Sequence, residues 1–206
     1  MIDLVYKVGI KDGGDNYDEL KYSIRSAQKH FKDLGKVYIV GFKPHWLDNV
    51  VHIKLRDCYT HNKDANLINK LIIASFDKEL TKSFLNMSDD FFFLKDKTEE
   101  DFKIPFYNNK VITTMNTVGK KLNKWELRLQ RTMNVLKSNG HQANCYETHS
   151  PQMIDKELFA ATLLNYDYGT DNGMCGNTLY YNTIKADGKQ FEENYLMRLE
   201  SKVLDI

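Results

Sequence analysis

The chain has 206 residues, of which 42% are hydrophobic and 28% charged, a composition typical of one globular domain with a sizeable core. A formal net charge of +1 argues against nucleic-acid binding through bulk positive charge, and no apolar run approaches the roughly 18–20 residues of a membrane span. Cys58, Cys145 and Cys175 form no CxxC pair, so a zinc knuckle is not expected. The odd cysteine count and the lack of a recognisable signal peptide predict a reducing, cytoplasmic setting.

The first part of the chain, residues 1–95, alternates apolar β-branched runs with amphipathic stretches. The β-branched runs predict strands, and apolar residues at helical spacing predict helices. We expect strands at 2–10, 36–42 and 50–55, a fourth strand beginning near 83–87, and helices at 17–32 and 66–80. The order strand, helix, strand, strand, helix, strand predicts an α/β fold with a mainly parallel central sheet flanked by helices.

The second part, residues 96–206, alternates less regularly. Helices are expected at 120–139, where Gly140 provides a C-terminal stop, and at 155–164. We also expect short strands at 107–114, 144–148 and 177–182, a glycine-containing loop at 169–176 and a last helix at 190–203. The sequence shows no internal repeat and no low-complexity linker, which favours a single domain over residues 1–206.

Adjacent carboxylates at Asp89 and Asp90 are the sharpest chemical signal in the sequence. They lie between apolar stretches at 84–85 and 91–94, and ionised carboxylates near a core are costly unless they are paired or bind a cation. Successive strand side chains point to opposite faces, so both carboxylates reach one metal only at a bulge or a strand end. Mg²⁺ and Mn²⁺ prefer such oxygen ligands; a polar strand end or a helix cap is the structural alternative.

His149 opens a second polar cluster, in the segment His149-Ser150-Pro151. A histidine at the end of a short strand can bind a metal or a phosphate or transfer a proton, and a hydrogen-bonded loop histidine is the alternative. Glu147 lies two residues earlier, on the same face of an extended segment, and Asp155 follows at the predicted start of a helix. Both carboxylates are candidate general bases.

Two further groups of residues suit a nucleotide ligand. Ligands of α/β sheets bind beyond the carboxyl ends of the strands, which is where the glycine-containing loop around Asp12 follows the first predicted strand. This loop, with Tyr6 and Lys7, is a candidate to hold a base and ribose; a surface turn is the alternative. Arg25 on the first helix and Lys70 on the second are candidate diphosphate ligands, with surface salt bridging as the alternative for each.

Several short blocks occur in a characteristic order. They are residues 2–8 (I-D-L-V-Y-K-V), 19–26 (E-L-K-Y-S-I-R-S), 37–40 (V-Y-I-V), 44–47 (P-H-W-L), 85–92 (L-N-M-S-D-D-F-F) and 149–151 (H-S-P). In order and rough spacing they resemble the blocks of the Stealth proteins: I-D-x-V-Y-T-W-V, then E-L-R-Y-S-L-R-S, I-Y-I-V, P-x-W-L and Y-x-N-D-D-x-F, and then H-x-P. The resemblance covers about residues 2–160.

Stealth proteins transfer hexose-1-phosphate from nucleotide sugars. Their core is similar to that of GT-A glycosyltransferases, in which an acidic motif at a strand end holds a divalent metal on the donor diphosphate. The resemblance therefore implies a GT-A-like (Rossmann-like) domain with Mn²⁺ or Mg²⁺ held by Asp89, Asp90 and His149. It also implies that residues 1–95 form the donor-binding half, and that residues 96–206 bind the acceptor and complete the metal site.

One departure from the family pattern shifts the predicted chemistry. The arginine expected after the third block has no clear match, and the loop at 169–176 contains none. Phosphoryl transfer needs cationic groups to neutralise the transferred phosphate. We therefore expect a compact glycosyltransferase of the phage or bacterial kind, dependent on a divalent cation and using a nucleotide-sugar donor, a UDP-sugar in the first place. Asp90, Glu147 and Asp155 are its predicted catalytic residues, and Tyr6, Lys7, Asp12, Arg25, Lys70 and Asp89 its predicted donor-binding residues.

Other interpretations stay open. Stealth-type transfer of hexose-1-phosphate is one, and a non-catalytic nucleotide- or carbohydrate-binding module is another. The acceptor is compatible with a glycan, a protein or a modified nucleic-acid base, and the oligomeric state is open. The expected location is the cytosol of a bacterium or of a phage-infected host.

Overall fold

The computed structural model describes residues 1–10, 17–170 and 173–191. Its strands are β1 Ile2–Val8, β2 Leu34–Gly41, β3 Val51–Ile53, β4 Ser83–Met87, β5 Phe106–Tyr107, β6 Gln152–Asp155 and β7 Lys189–Gln190. Five of them form the main sheet in the order β3-β2-β1-β4-β6, in which β1 to β4 run parallel and β6 pairs antiparallel with β4. A second, two-stranded sheet joins β5 to β7.

Six α-helices accompany these strands in the described ranges. They are α1 Asp18–His30, α2 Lys63–Ser75, α3 Lys110–Met115, α4 Lys124–Ser138, α5 Lys156–Leu163 and α6 Gly176–Thr183. A 3₁₀ turn lies at Glu99–Phe102. The predicted α/β class, with a mainly parallel sheet flanked by helices, is confirmed.

Alternating strand residues build a core on each face of the sheet. Val5, Tyr38 and Phe84 point to the face that α2, α5 and α6 cover. Their neighbours Leu4 and Leu85 point to the opposite face, which α1 covers with Leu20, Ile24 and Ala27. The apolar residues spaced three and four apart on α1 explain why one side of this helix is buried. Because β6, α5 and α6 come from the second part of the chain, both parts contribute to one core.

Three predicted strands are wrong. Residues 107–114 contain only the end of β5 and then helix α3, and residues 177–182 lie in helix α6. Residues 144–148 form no regular element, and the strand of this region is β6, a few residues later. Residues 178–182 are all buried, and their apolar content alone does not distinguish a helix from a strand.

The remaining boundaries are close to those expected. Helix α2 begins three residues before the predicted start, because Asn62 caps it, and it ends at Ser75. The predicted helix at 190–203 lies outside the described residues apart from its first two positions, where Gln190 ends β7. Within the described part of the chain, no helix combines the length and the apolar character needed to cross a membrane.

Candidate functional site

A cleft of about 510 Å³ opens at the carboxyl ends of the parallel strands. Its floor comes from the strand ends, with Gly9 after β1, Asp57 beyond β3 and Asp89 after β4. Helix α2 and the first turn of α6 form its sides, and Trp125 of α4 lies on its wall. Strand ends of this kind are where α/β proteins bind ligands, so the cleft is the candidate site.

The two adjacent carboxylates lie in a turn directly after β4. Strand pairing stops at Met87, and the backbone N–H of Phe91 donates to the carbonyl of Ser88 at 3.4 Å. A turn removes the alternation of a regular strand, and Asp89 and Asp90 accordingly both line the cleft. Of the two arrangements considered from the sequence, a bulge or a strand end, the structure has the strand end.

Asp90 is paired with His149. The His149 Nδ1 lies 2.7 Å from the Asp90 Oδ2, although the two residues are 59 positions apart in the chain. The hydrogen bond from His149 lowers the pKa of Asp90 to about 2, and the same bond raises the pKa of His149. The structure therefore brings together two residues that the sequence singles out separately.

Helix α1 holds the acidic turn from the opposite face of the sheet. The Ser23 hydroxyl donates to the carbonyl of Phe91 at 2.6 Å, and the backbone N–H of Phe93 donates to the Ser26 hydroxyl at 2.9 Å. Ser23 also lies 3.0 Å from the Tyr6 hydroxyl. These serines are missing from the sequence-based site, although their spacing of three places them on one face of the helix.

Lys7 lies beneath the acidic turn. Its Nζ donates to the carbonyl of Met87 at 2.5 Å and to the Asn86 Oδ1, and the Asn86 Nδ2 donates to the Asn177 Oδ1 at 3.1 Å. Burial lowers the pKa of Lys7 to about 8, and the nearby negative charges of Asp89 and Glu147 oppose that shift. Lys7 therefore links β1, β4 and, through Asn86, α6 at the floor of the cleft.

Lys70 is another cation that lines the cleft, and it is buried. Only 2% of its side chain is exposed, and its Nζ pairs with Asp57. Gly41 at the end of β2 makes room for it: a Cβ there would lie 2.8 Å from the Lys70 Cε and 2.1 Å from the Val8 carbonyl oxygen. Gly41 also has φ +114°, a backbone conformation that L side chains rarely adopt. The sequence-based site does not include Gly41 or Asp57.

Glu147 lines the cleft beside helix α6. Its Oε1 accepts from the backbone N–H of Thr178 at 2.9 Å, in the first turn of that helix. A carboxylate at a helix N-terminus satisfies an otherwise unpaired N–H and interacts favourably with the helix dipole. Burial nevertheless raises the pKa of Glu147. Its position is thus compatible with both a capping role and proton transfer.

Three predicted site residues lie away from the cleft. Tyr6 packs in the core on the α1 face, where burial raises the pKa of its hydroxyl, and Arg25 is exposed on α1. Asp155 lies opposite Ser83, at the far end of β4 from the acidic turn. There it caps α5 by accepting the backbone N–H groups of Glu157 and Leu158, at 3.1 and 3.0 Å. Asp12 lies outside the described residues.

The donor set suits a cation that takes only part of its coordination shell from the protein. Among the residues that the structure describes, no group of three or more His, Cys, Asp or Glu side chains is arranged to hold a metal ion. Asp89 and Asp90 offer carboxylates on one turn, and the Nδ1 of His149 is already bonded to Asp90. Mg²⁺ in particular uses one or two carboxylates and completes its octahedron with water and substrate phosphates.

Comparison with known proteins adds no family assignment. No protein-family model matches this chain, and a search of curated proteins finds no match. The similarity to the Stealth proteins therefore stays a prediction from the ordered sequence blocks, and the geometry of the cleft is the basis for the function proposed next.

Proposed function

We propose that this chain is a glycosyltransferase with a GT-A-like arrangement, which uses a nucleotide-sugar donor and a divalent cation, Mn²⁺ or Mg²⁺. One observation carries the proposal. Asp89 and Asp90 occupy a turn at the carboxyl end of a central parallel strand, and they face a cleft that Lys7, Lys70 and His149 also line. Carboxylates, lysines and a histidine around a cavity of this size are suited to a diphosphate and its counter-ion.

The charge balance of the cleft supports dependence on a cation. Its acidic lining residues are Asp57, Asp64, Asp89, Asp90 and Glu147, whereas its lysines are Lys7, Lys63 and Lys70. Asp57 is paired with Lys70, and Asp64 with Arg128. Among the described lining residues, Asp89, Asp90 and Glu147 then remain beside Lys7, Lys63 and His149. These cations face carboxylates already, so the added negative charge of a diphosphate would need a divalent cation to balance it.

The roles of the two carboxylates and the histidine follow from their contacts. Asp89 and Asp90 would hold the cation, which when bound neutralises charge on the leaving diphosphate. His149 would act through Asp90, because its Nδ1 bonds the Asp90 carboxylate and fixes its orientation. Lys7 and Lys70 would add positive charge beneath the phosphates from the floor of the cleft.

In the proposed reaction, an acceptor hydroxyl oxygen forms a bond to the anomeric carbon of the sugar. The bond from that carbon to the diphosphate oxygen breaks, and its electron pair leaves with the nucleoside diphosphate. Glu147 is the candidate base for the hydroxyl proton, since it lines the cleft and burial raises its pKa. Asp155 is set aside, because it caps α5 at the other end of the sheet.

The cleft favours transfer of a sugar over transfer of a sugar phosphate. Among the described residues that line it, the cationic side chains are lysines and His149, and none is an arginine. A transferred phosphate spreads its charge over three oxygens, for which enzymes commonly supply planar, bidentate guanidinium groups. The mass of the product decides between the two: a glycoside supports the proposal, and a phosphodiester between sugar and acceptor contradicts it.

The experiment is a donor screen with matched carboxylate variants. Hydrolysis of a panel of nucleotide sugars and binding of UDP are measured with Mn²⁺ and again with excess chelator. We expect one donor to be hydrolysed only with metal, and Asp90→Asn to lower that rate by at least about 100-fold with the fold intact. The control is Asp155→Asn, which keeps a good helix cap and should retain activity. Full activity of Asp90→Asn in chelator would refute the proposal.

A further inference from the structure

The wall of the cleft carries an exposed aromatic side chain that the proposed function leaves unused. Trp125 lies in the first turn of α4, lines the cleft and is 36% exposed. The second tryptophan, Trp46, instead packs against the core on the α1 face. Leu67 of α2, which is half-buried, lines the cleft as Trp125 does. Trp125 and Leu67 thus give the cleft an apolar surface besides its charged groups.

The position of Trp125 is fixed on both sides. Asn123 and Glu126 form a capping box around it, with the Glu126 N–H donating to the Asn123 Oδ1 at 2.9 Å and the Asn123 N–H to the Glu126 Oε2 at 3.0 Å. Lys120 pairs with the buried Glu126 at 2.6 Å. Arg128, one turn further, pairs with Asp64 of α2 and so ties the two helices together. The helix turn that carries Trp125 is therefore held in place before any ligand arrives.

The division of the cleft suggests which substrate meets the tryptophan. The strand ends, the loop at 147–149 and helix α2 supply its charged groups, and nucleotides bind across strand ends in α/β sheets. Trp125 does not lie at a strand end but on a helix of the second part of the chain. A transferase needs room for a second substrate in the same cleft. The described residues of α4 place no charged side chain in the cleft, so this side is left for the second substrate.

We propose that Trp125, with Leu67 of the same cleft, is the platform on which a pyranose ring of a glycan acceptor stacks. The inference rests on the proposed function, because it assigns the acceptor side of the same cleft. A pyranose presents an apolar face of C–H groups and a polar rim of hydroxyls. The indole would cover the apolar face, and the carboxylates of the cleft would accept hydrogen bonds from the hydroxyls. The acceptor class is therefore a glycan.

The test uses the full chain with Trp46→Phe, in which Trp125 is the sole tryptophan. A panel of methyl pyranosides is titrated while tryptophan emission is recorded, and UDP binding with Mn²⁺ is measured separately. We expect at least one pyranoside to change the emission saturably. In the wild-type background, Trp125→Ala should weaken that pyranoside about tenfold and Trp125→Phe much less, with UDP affinity unchanged. Leu127→Ala is the control, since Leu127 is 52% exposed on the same helix but does not line the cleft.

Two outcomes would overturn the assignment. If Trp125→Ala weakens UDP and leaves the pyranoside unaffected, the ring stacks on the nucleobase instead. If no pyranoside in the panel changes Trp125 emission or binds, the wall does not receive a glycan. Failure of the proposed function is distinguishable from both, because it shows as the absence of metal-dependent UDP or nucleotide-sugar binding in the wild-type chain, whatever the pyranosides do.

Discussion

Asp3 is a single buried carboxylate that joins three segments at the amino end of the sheet. Its Oδ1 accepts the backbone N–H of Lys36 at 2.7 Å, and its Oδ2 accepts the backbone N–H of Thr81 at 3.0 Å. Only 3% of the residue is exposed. One side chain therefore connects β1 to β2 and to the segment that enters β4, and hydrogen bonds to a charged acceptor are among the stronger ones.

Replacing Asp3 should cost measurable stability. We expect Asp3→Ala to lower the free energy of unfolding by about 2–3 kcal/mol, because two N–H groups lose a charged acceptor. Asp3→Asn should cost about half as much, since its amide keeps one acceptor oxygen. Urea denaturation followed by circular dichroism measures both. Asp48→Ala is the control, because the Asp48 side chain is 83% exposed and its loss should change stability by about 0.5 kcal/mol or less. Equal effects of Asp3→Ala and Asp48→Ala would contradict the expectation.

The three cysteines differ in burial, and this predicts their reactivity. Cys58 is exposed, whereas Cys145 and Cys175 are buried. Burial raises the pKa of Cys145 to about 12 and raises the pKa of Cys175 well above its ordinary value. A thiol whose pKa lies far above the solution pH stays protonated, and the thiolate is the form that reacts.

We expect a disulfide reagent such as DTNB to titrate one thiol of the native chain at pH 8 and all three in denaturant. The fast reaction of the native chain should come from Cys58 alone, so Cys58→Ser should leave no fast-reacting thiol in the native state. Raising the pH toward 9 should not recruit the buried pair, because their pKa values lie higher still. Fast reaction of two thiols in the native protein would show that the core around Cys145 and Cys175 is open.

At the scale of elements, two asparagine caps look alike in sequence and differ in surroundings. Asn62 accepts the N–H of Ala65 at 3.0 Å at the start of α2, and Asn123 accepts the N–H of Glu126 at the start of α4. Asn62 is 1% exposed, and its Nδ2 also donates to the carbonyls of Tyr168 and Thr170, at 3.2 and 2.6 Å. Asn62 therefore holds a distant loop as well as a helix end.

Asn62→Ala should consequently destabilise the protein more than Asn123→Ala. The exposed cap should cost about 1 kcal/mol, the usual value for removing an N-cap. The buried cap should cost about 2–3 kcal/mol, because two carbonyl groups also lose their donor. Thermal and urea unfolding of the two variants give a direct comparison. Equal costs would mean that the bonds from Asn62 to Tyr168 and Thr170 add no stability.

The same scale shows which elements could be predicted from the sequence. The parallel strands are predictable because continuous β-branched runs are typical of strands buried on both faces. Helix α6 is not, because residues 178–182 are all buried, and a fully buried segment shows the periodicity of neither a helix nor a strand. Strand β6 has only four residues after Pro151 and owes its conformation to pairing with β4.

The candidate site likewise contains some residues that could be predicted from the sequence and others that could not. Asp89 and Asp90 stand out in the sequence because they interrupt apolar runs, and His149 because it ends a predicted strand shortly before Pro151. The partners that position them do not stand out, since Ser23 is one of several ordinary helix serines until the fold places it against the carbonyl of Phe91. Trp125 likewise resembles a core residue of an amphipathic helix, and only the folded structure shows that it is exposed and lines the cleft.

At the scale of the whole molecule, the two parts of the chain share one hydrophobic core. The cluster on the α2 face combines Val5 and Ile68 from the first part with Leu136, Tyr146 and Phe159 from the second. Strand β6 of the second part also joins the sheet as an edge strand, by pairing with β4. Neither part can bury these surfaces by itself, so the described core should form and melt as a unit.

Single-tryptophan variants can test this cooperativity, because the two tryptophans lie in different parts of the chain. Trp125→Phe leaves Trp46 as the reporter of the α1 face, and Trp46→Phe leaves Trp125 as the reporter of α4. We expect the fluorescence transition of each variant in urea to coincide with its own far-ultraviolet circular dichroism transition. Each variant serves as its own reference, so a difference in stability between the two does not affect the comparison. If Trp125 fluorescence changes at a lower urea concentration than the ellipticity of the same variant, α4 separates before the sheet unfolds, and the shared core would then be too weak to couple the two parts.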